Sequence, residues 1–130
     1  MTIQEHIEFL INQADEDLGV TEAIQAAGYY GQALFWGHLV LEKMCKALYL
    51  QNNNRMDYPY IHNLLVLLNK SNVDINEEQI AFYSDMNSFQ AKGRYADTLH
   101  EIEATVTKEV CEKYIDKLKT EMIWLKKQLQ

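Results

Sequence analysis

Residues 29–51, YYGQALFWGHLVLEKMCKALYLQ, decide the fold. Tyr30, Ala33, Leu34, Gly37, Val40, Leu41, Met44, Ala47 and Leu48 recur at steps of one and three, the spacing that gathers side chains on one face of a 3.6-residue helix. The face is wide, so the segment is predicted to be a central helix, packed on more than one side. The run Asn52, Asn53, Asn54 ends it, because asparagine tolerates the left-handed conformation that closes a helix.

The same period extends in both directions. Upstream, Ile3, Ile7, Leu10, Ala14, Leu18 and Ile24 keep one face of a first helix. Thr2 and Glu5 stand at capping-box spacing before it, and Gly28 stops it. Downstream, a loop from Arg55 to Ile61 holds Pro59, the only proline. A short leucine-rich helix is expected from His62 to about Asn69. A fourth opens at the N-cap Asn76 and ends at Gly93, burying Ile80, Tyr83, Met86 and Phe89. Arg94 to Ala104 has no clear period. A last helix from about Thr105 to Leu129 carries Val106, Val110, Tyr114, Leu118, Met122, Leu125 and Leu129, a seam suited first to the core and second to a partner helix. The expectation is an all-α, five-helix up-and-down bundle forming one domain over residues 1–130, with Trp36, Leu41, Met44, Leu48 and Leu65 substantially buried.

Composition agrees. Hydrophobic residues make up 48% of the 130 residues and charged ones 24%, which excludes a disordered chain. No apolar run reaches the ~18–20 residues of a membrane span, and the N-terminus lacks a signal-peptide pattern, so a cytoplasmic protein without membrane association is expected. Cys45 and Cys111 have no metal-like spacing and read as buried free thiols. The net charge of −7 is uneven: residues 1–42 hold seven acidic residues and no Lys or Arg, while the remainder balances twelve against twelve. A broad nucleic-acid surface needs a basic stripe, so any phosphate site here is small and local.

No Glu-x-x-His pair, catalytic triad or glycine-rich phosphate loop stands out, and neither a metal nor a cofactor is expected. Asp15 and Asp17 are too close on a helix to face one another as an acid–base pair. The residues that carry chemistry are Arg94, Tyr95, Asp97 and His100, a guanidinium, a phenol, a carboxylate and an imidazole within seven residues. Guanidinium holds phosphate bidentately, and imidazole exchanges protons near neutrality. An Arg and a His facing one phosphodiester suffice for metal-independent RNA cleavage. Arg55 and His62 form a second such pair, and spacing alone does not choose between them.

Several short elements together resemble the HEPN (higher eukaryotes and prokaryotes nucleotide-binding) domain family. They are Ala14-x-x-Asp17-Leu18, Gly28-Tyr29-Tyr30, Ala33-Leu34-Phe35-Trp36, Leu41-Glu42-Lys43-x-x-Lys46-Ala47-Leu48, Ile61-His62-Asn63-Leu64-x-x-Leu67 and Gly93-Arg94-Tyr95-x-Asp97. The resemblance implies a helical bundle, usually a homodimer, often paired with a small nucleotidyltransferase in a toxin–antitoxin-like system. Some members are ribonucleases whose motif is Arg, four to six residues, then His. Arg94 and His100, with five residues between them, fit that spacing. Tyr95 and Ala96 depart from the nuclease pattern and bring the chain nearer the nucleotidyltransferase-partner branch.

The resulting expectation is a small subunit that binds a nucleotide or RNA through Arg94, Tyr95 and Asp97, as a homodimer or with a nucleotidyltransferase. The alternatives are a metal-independent endoribonuclease toxin using Arg94 and His100, and a non-catalytic interaction module. Asp17, Glu42, Lys43, Lys46 and His62 are expected to be motif residues with structural roles.

Overall fold

The computed structural model describes residues 1–130, the side chains of Ala96 and Thr98 aside. Its helices are α1 (Ile3–Ala26), α2 (Tyr30–Asn53), α3 (Leu64–Lys70), α4 (Glu77–Gly93), α5 (Ala96–Thr105) and α6 (Lys108–Gln128). All regular structure among the described residues is helical, as the periodicity predicts. The sixth helix is α5, formed by the stretch to which the apolar pattern assigns no element. It has ten residues, so its apolar row, Leu99 and Ile102 with Val106 just beyond, is too short to stand out as a period in the sequence.

The boundaries follow local chemistry. Thr2 and Glu5 form the expected capping box, Thr2 Oγ1 accepting from Glu5 N and Glu5 accepting from Thr2 N. Gly28 takes φ of 89°, where a side chain would be strained. Asn54 closes α2 in the left-handed region. Asn76 and Gln79 build a second capping box at the start of α4.

α2 touches each of the other five helices, which confirms the central place read from its wide apolar face. Leu34, Leu41, Met44 and Leu48 are fully buried there. Trp36 and Leu65 are only partly buried. Trp36 lies two turns before Lys43 on the same flank of α2, and that flank borders solvent. In α4 the inward positions are Gln79, Phe82, Tyr83, Met86 and Gln90. Ile80 is 44% exposed, because it lies one residue off that i, i+3, i+7 row.

The seam of α6 also shifts. Its buried residues are Cys111, Ile115, Leu118, Glu121, Met122 and Leu125, with Val110 37% exposed. Steps of four residues advance a 3.6-residue helix by more than one full turn, so a 4-4-4 run drifts around it. Cys111 and Ile115 replace Val110 and Tyr114 on the inner side. The seam of α6 is thus largely taken up within the bundle. No helix among the described residues is long and apolar enough to cross a membrane.

Candidate functional site

Two polar clusters contain the motif residues, and the structure gives them different characters. The first centres on Glu42 in the middle of α2, 6% exposed. Its carboxylate accepts from Lys46 Nζ at 2.8 Å and from His62 Nδ1 at 2.9 Å. Burial pushes the Glu42 carboxyl up, but the hydrogen bonds from Lys46 and His62 outweigh it and hold the group below its ordinary range. Lys46 also sits 4.7 Å from the centre of the Tyr58 ring, a cation–π distance. Lys43, one turn earlier, pairs with Asp17 and ties α2 to α1.

Beneath Glu42 lies His38, fully buried. Asn87 donates through Nδ2 to Asn63 Oδ1 at 2.9 Å, so its Oδ1 is an acceptor. It accepts from Leu64 N at 3.0 Å and from His38 Nε2 at 3.2 Å, which puts the His38 proton on Nε2. His38 Nδ1 then faces Glu42 Oε1 at 3.8 Å, beyond hydrogen-bond reach. Burial holds the His38 imidazole below its ordinary value. In the Glu42 cluster each charged group is satisfied by another, while the buried His38 Nδ1 is left without a hydrogen bond among the described residues.

The second cluster is the α4–α5 junction. Arg94 caps the end of α4, Tyr95 precedes α5, and Asp97 and His100 lie on α5 itself. All four are exposed, Tyr95 by 65%. Asp97 and His100 are three residues apart on a helix, which places them on one face. The junction is therefore an ordered helix–turn–helix corner, where the sequence pattern indicates a polar connecting stretch.

This corner is seated on the first turns of α2. A Cβ built on Gly93 would come within 2.7 Å of Phe35 Cδ2, so only glycine lets α4 end against that ring. On α5, Glu103 Oε1 accepts from Gln32 N at 2.7 Å. Tyr29, the N-cap of α2, offers no side-chain cap. Glu103 supplies it from 71 residues away.

The two Arg–His pairs that spacing leaves equal now separate. Arg55 is bound by Asp57, with Nε and Nη2 at 3.2 and 3.1 Å from Oδ1, and His62 is bound by Glu42. Arg94 forms no ion pair or hydrogen bond among the described residues, so its guanidinium faces solvent. The structure brings Asp17 to Lys43, and Glu42 to Lys46 and His62. Among the other residues of the two clusters, His38 reads in the sequence as a structural histidine, Phe35 and Asn63 stand within the motif elements, and Asn87, Gly31 and Glu103 carry no sequence signal. Asn63 carries a local signal, an Asn before a leucine run that caps α3. Asn87, Gly31 and Glu103 act through distant partners and leave no local pattern.

Between α4 and α6 runs a groove of about 430 Å³ lined by Glu78, Phe82, Asp85, Lys113, Tyr114 and Lys117, among others. Its polar groups largely satisfy one another, Tyr114 donating to Asp85 at 2.7 Å and Lys117 to Glu78 at 3.2 Å. Among the described residues no three His, Cys, Asp or Glu side chains gather as a metal-ligand set.

The fold and site define an all-helical bundle module, built around one central helix with an ion network in its middle and a solvent-facing arginine at one corner. The chain matches the HEPN domain family over residues 7–128 and belongs to that family. Comparison with curated proteins and with solved structures gives no match.

Proposed function

We propose that this chain is a small cytoplasmic HEPN subunit that binds a nucleotide or RNA phosphate at the Arg94 corner, as a homodimer partnered with a minimal nucleotidyltransferase in a toxin–antitoxin-like pair. The observation that carries the reading is the difference between the two arginines. Arg55 is neutralised by Asp57, whereas Arg94 is exposed and has no ion-pair partner among the described residues. A guanidinium in that state has its donors available for two phosphate oxygens. Tyr95, beside it, has the surface on which a base stacks. The Glu42 network supports the same division: Asp17, Glu42, Lys43, Lys46 and His62 hold the bundle together, and ligand recognition falls to Arg94, Tyr95 and Asp97.

The second reading is a metal-independent ribonuclease, favoured by His100 on the same seated corner as Arg94. Arg94 would hold the phosphodiester, His100 would move the proton, and Asp97, on the same face of α5, would orient the imidazole. A dye-labelled 12-nucleotide single-stranded RNA tests both readings. Fluorescence anisotropy should show binding that Arg94→Ala reduces severalfold and Arg55→Ala leaves unchanged. Incubation of the same RNA in EDTA tests cleavage, which His100→Ala should lower by ~10²–10⁴ if the imidazole is the general acid or base. Binding equal in wild type and Arg94→Ala would end the binding reading. Wild-type protein that leaves RNA intact, alone and with its partner, would end the nuclease reading.

A further inference from the structure

We propose that Glu103 is the positioning residue of the Arg94 corner: a latch that, by capping α2, fixes the segment carrying Arg94, Tyr95 and His100. The inference rests on the binding reading above and adds the device that makes the site a defined shape. α5 has ten residues, below the length at which a helix is stable alone in water. Something outside α5 must hold it. Ile102 is 3% exposed and Val106 8%, so the C-terminal end of α5 is anchored in the core, and the polar contact there is Glu103 Oε1 on Gln32 N. That carboxylate lies where the unpaired N–H groups and positive dipole end of α2 favour negative charge.

The latch has a matching seat. A Cβ on Gly31 would fall 2.4 Å from Ile102 Cγ2 and 2.9 Å from Glu103 Oε1. Gly31 thus leaves the space that Ile102 and Glu103 occupy. Gly31, Gln32 and Phe35 are neighbours on the first turns of α2. Phe35 holds the end of α4 through Gly93, while Gly31 and Gln32 hold α5. The nine residues from Arg94 to Ile102 are therefore pinned at both ends to one rigid platform. Arg94 and His100 keep their spacing because the platform keeps it, and neither needs a bond of its own.

The experiment measures amide hydrogen exchange and RNA binding on wild type, Glu103→Ala and Glu103→Gln. The amide oxygen of Gln can still accept from Gln32 N, so it serves as the conservative variant. In Glu103→Ala, exchange across residues 96–105 should accelerate roughly tenfold, the size of losing one helix cap, with α1 and α6 unchanged. Affinity for the 12-nucleotide RNA should fall severalfold, and Glu103→Gln should recover most of both. Unchanged exchange in Glu103→Ala overturns the latch whatever the RNA result. Faster exchange with full RNA affinity overturns the positioning role. Wild-type protein that binds no RNA overturns the binding reading and the positioning role together, while the exchange data still decide whether the latch exists.

Discussion

At the scale of single residues, Glu42 has the largest expected energetic effect. Glu42→Ala strands the nearly buried Lys46 ammonium without its partner, a loss of about 3–5 kcal/mol for a broken buried pair. Denaturant titration checks it, and the double variant Glu42→Leu, Lys46→Met should recover much of the loss, since apolar replacement of both partners leaves no buried charge. A cost for Glu42→Ala no larger than that of a surface substitution would remove Glu42 from the centre of the network. The same cluster sets a pH dependence. His38 is held below its ordinary value of 6.5 by burial. As pH falls from 6.5 to that lower folded value, the unfolded chain takes up a proton that the folded chain refuses, and stability falls. Glu42, held below its ordinary 4.5, behaves as a paired carboxylate does: its contribution is intact above 4.5 and is lost as pH falls through the folded value. Stability measured from pH 8 to 4 should therefore begin to decline near 6.5, and His38→Gln should flatten that first decline while leaving the one below 4.5. Arg94 and His100 were legible in the sequence as residue types at a spacing. Their separation from Arg55 and His62 was not, because it depends on Asp57 and Glu42 occupying the other pair in three dimensions.

At the scale of elements, most helices could be read from the chain because their apolar rows are long and their caps are local. α1, α2 and α4 end within two residues of where Gly28, the Asn52–Asn54 run and Gly93 place the stops. α5 escaped the reading because the contacts that hold it, to Gly31 and Gln32, lie far away in sequence. The glycines give a direct test of that difference. Gly19 lies in the interior of α1, and a Cβ there meets nothing within 4 Å. Gly19→Ala should raise stability by about 0.5–1 kcal/mol through helix propensity alone. Gly93 is the last residue of α4 and faces the Phe35 ring at 2.7 Å. Gly93→Ala should lower stability by about 1–3 kcal/mol, the usual cost of overpacking. Thermal denaturation of both variants reads the sign. A neutral or stabilising Gly93→Ala would mean that Phe35 yields freely and that α4 is not pinned where the structure places it.

At the scale of the whole molecule, charge decides how the protein meets nucleic acid. The acidic excess of residues 1–42 is partly turned toward cations elsewhere in the fold. Asp17 pairs with Lys43, Glu22 with Lys119 at 3.1 Å, and Asp15 with Lys126 at 2.8 Å. Three lysines that could have formed a basic patch are thereby neutralised, and the net charge remains −7. Long-range attraction of a polyanion is absent, so RNA affinity must come from the Arg94 corner at contact distance. Counterion release turns this into a number. Each phosphate neutralised on a single strand contributes about −0.7 to the slope of log affinity against log salt. A protomer acting through one Arg94 should give a slope of about −0.7, and a homodimer that holds one strand with both Arg94 side chains about −1.4. Sedimentation under the same conditions supplies the stoichiometry, a species at 15.2 kDa or at twice that mass. A slope several times steeper would mean that lysines here assigned to ion pairs contact the RNA. It would replace the single-arginine site with a broader basic surface.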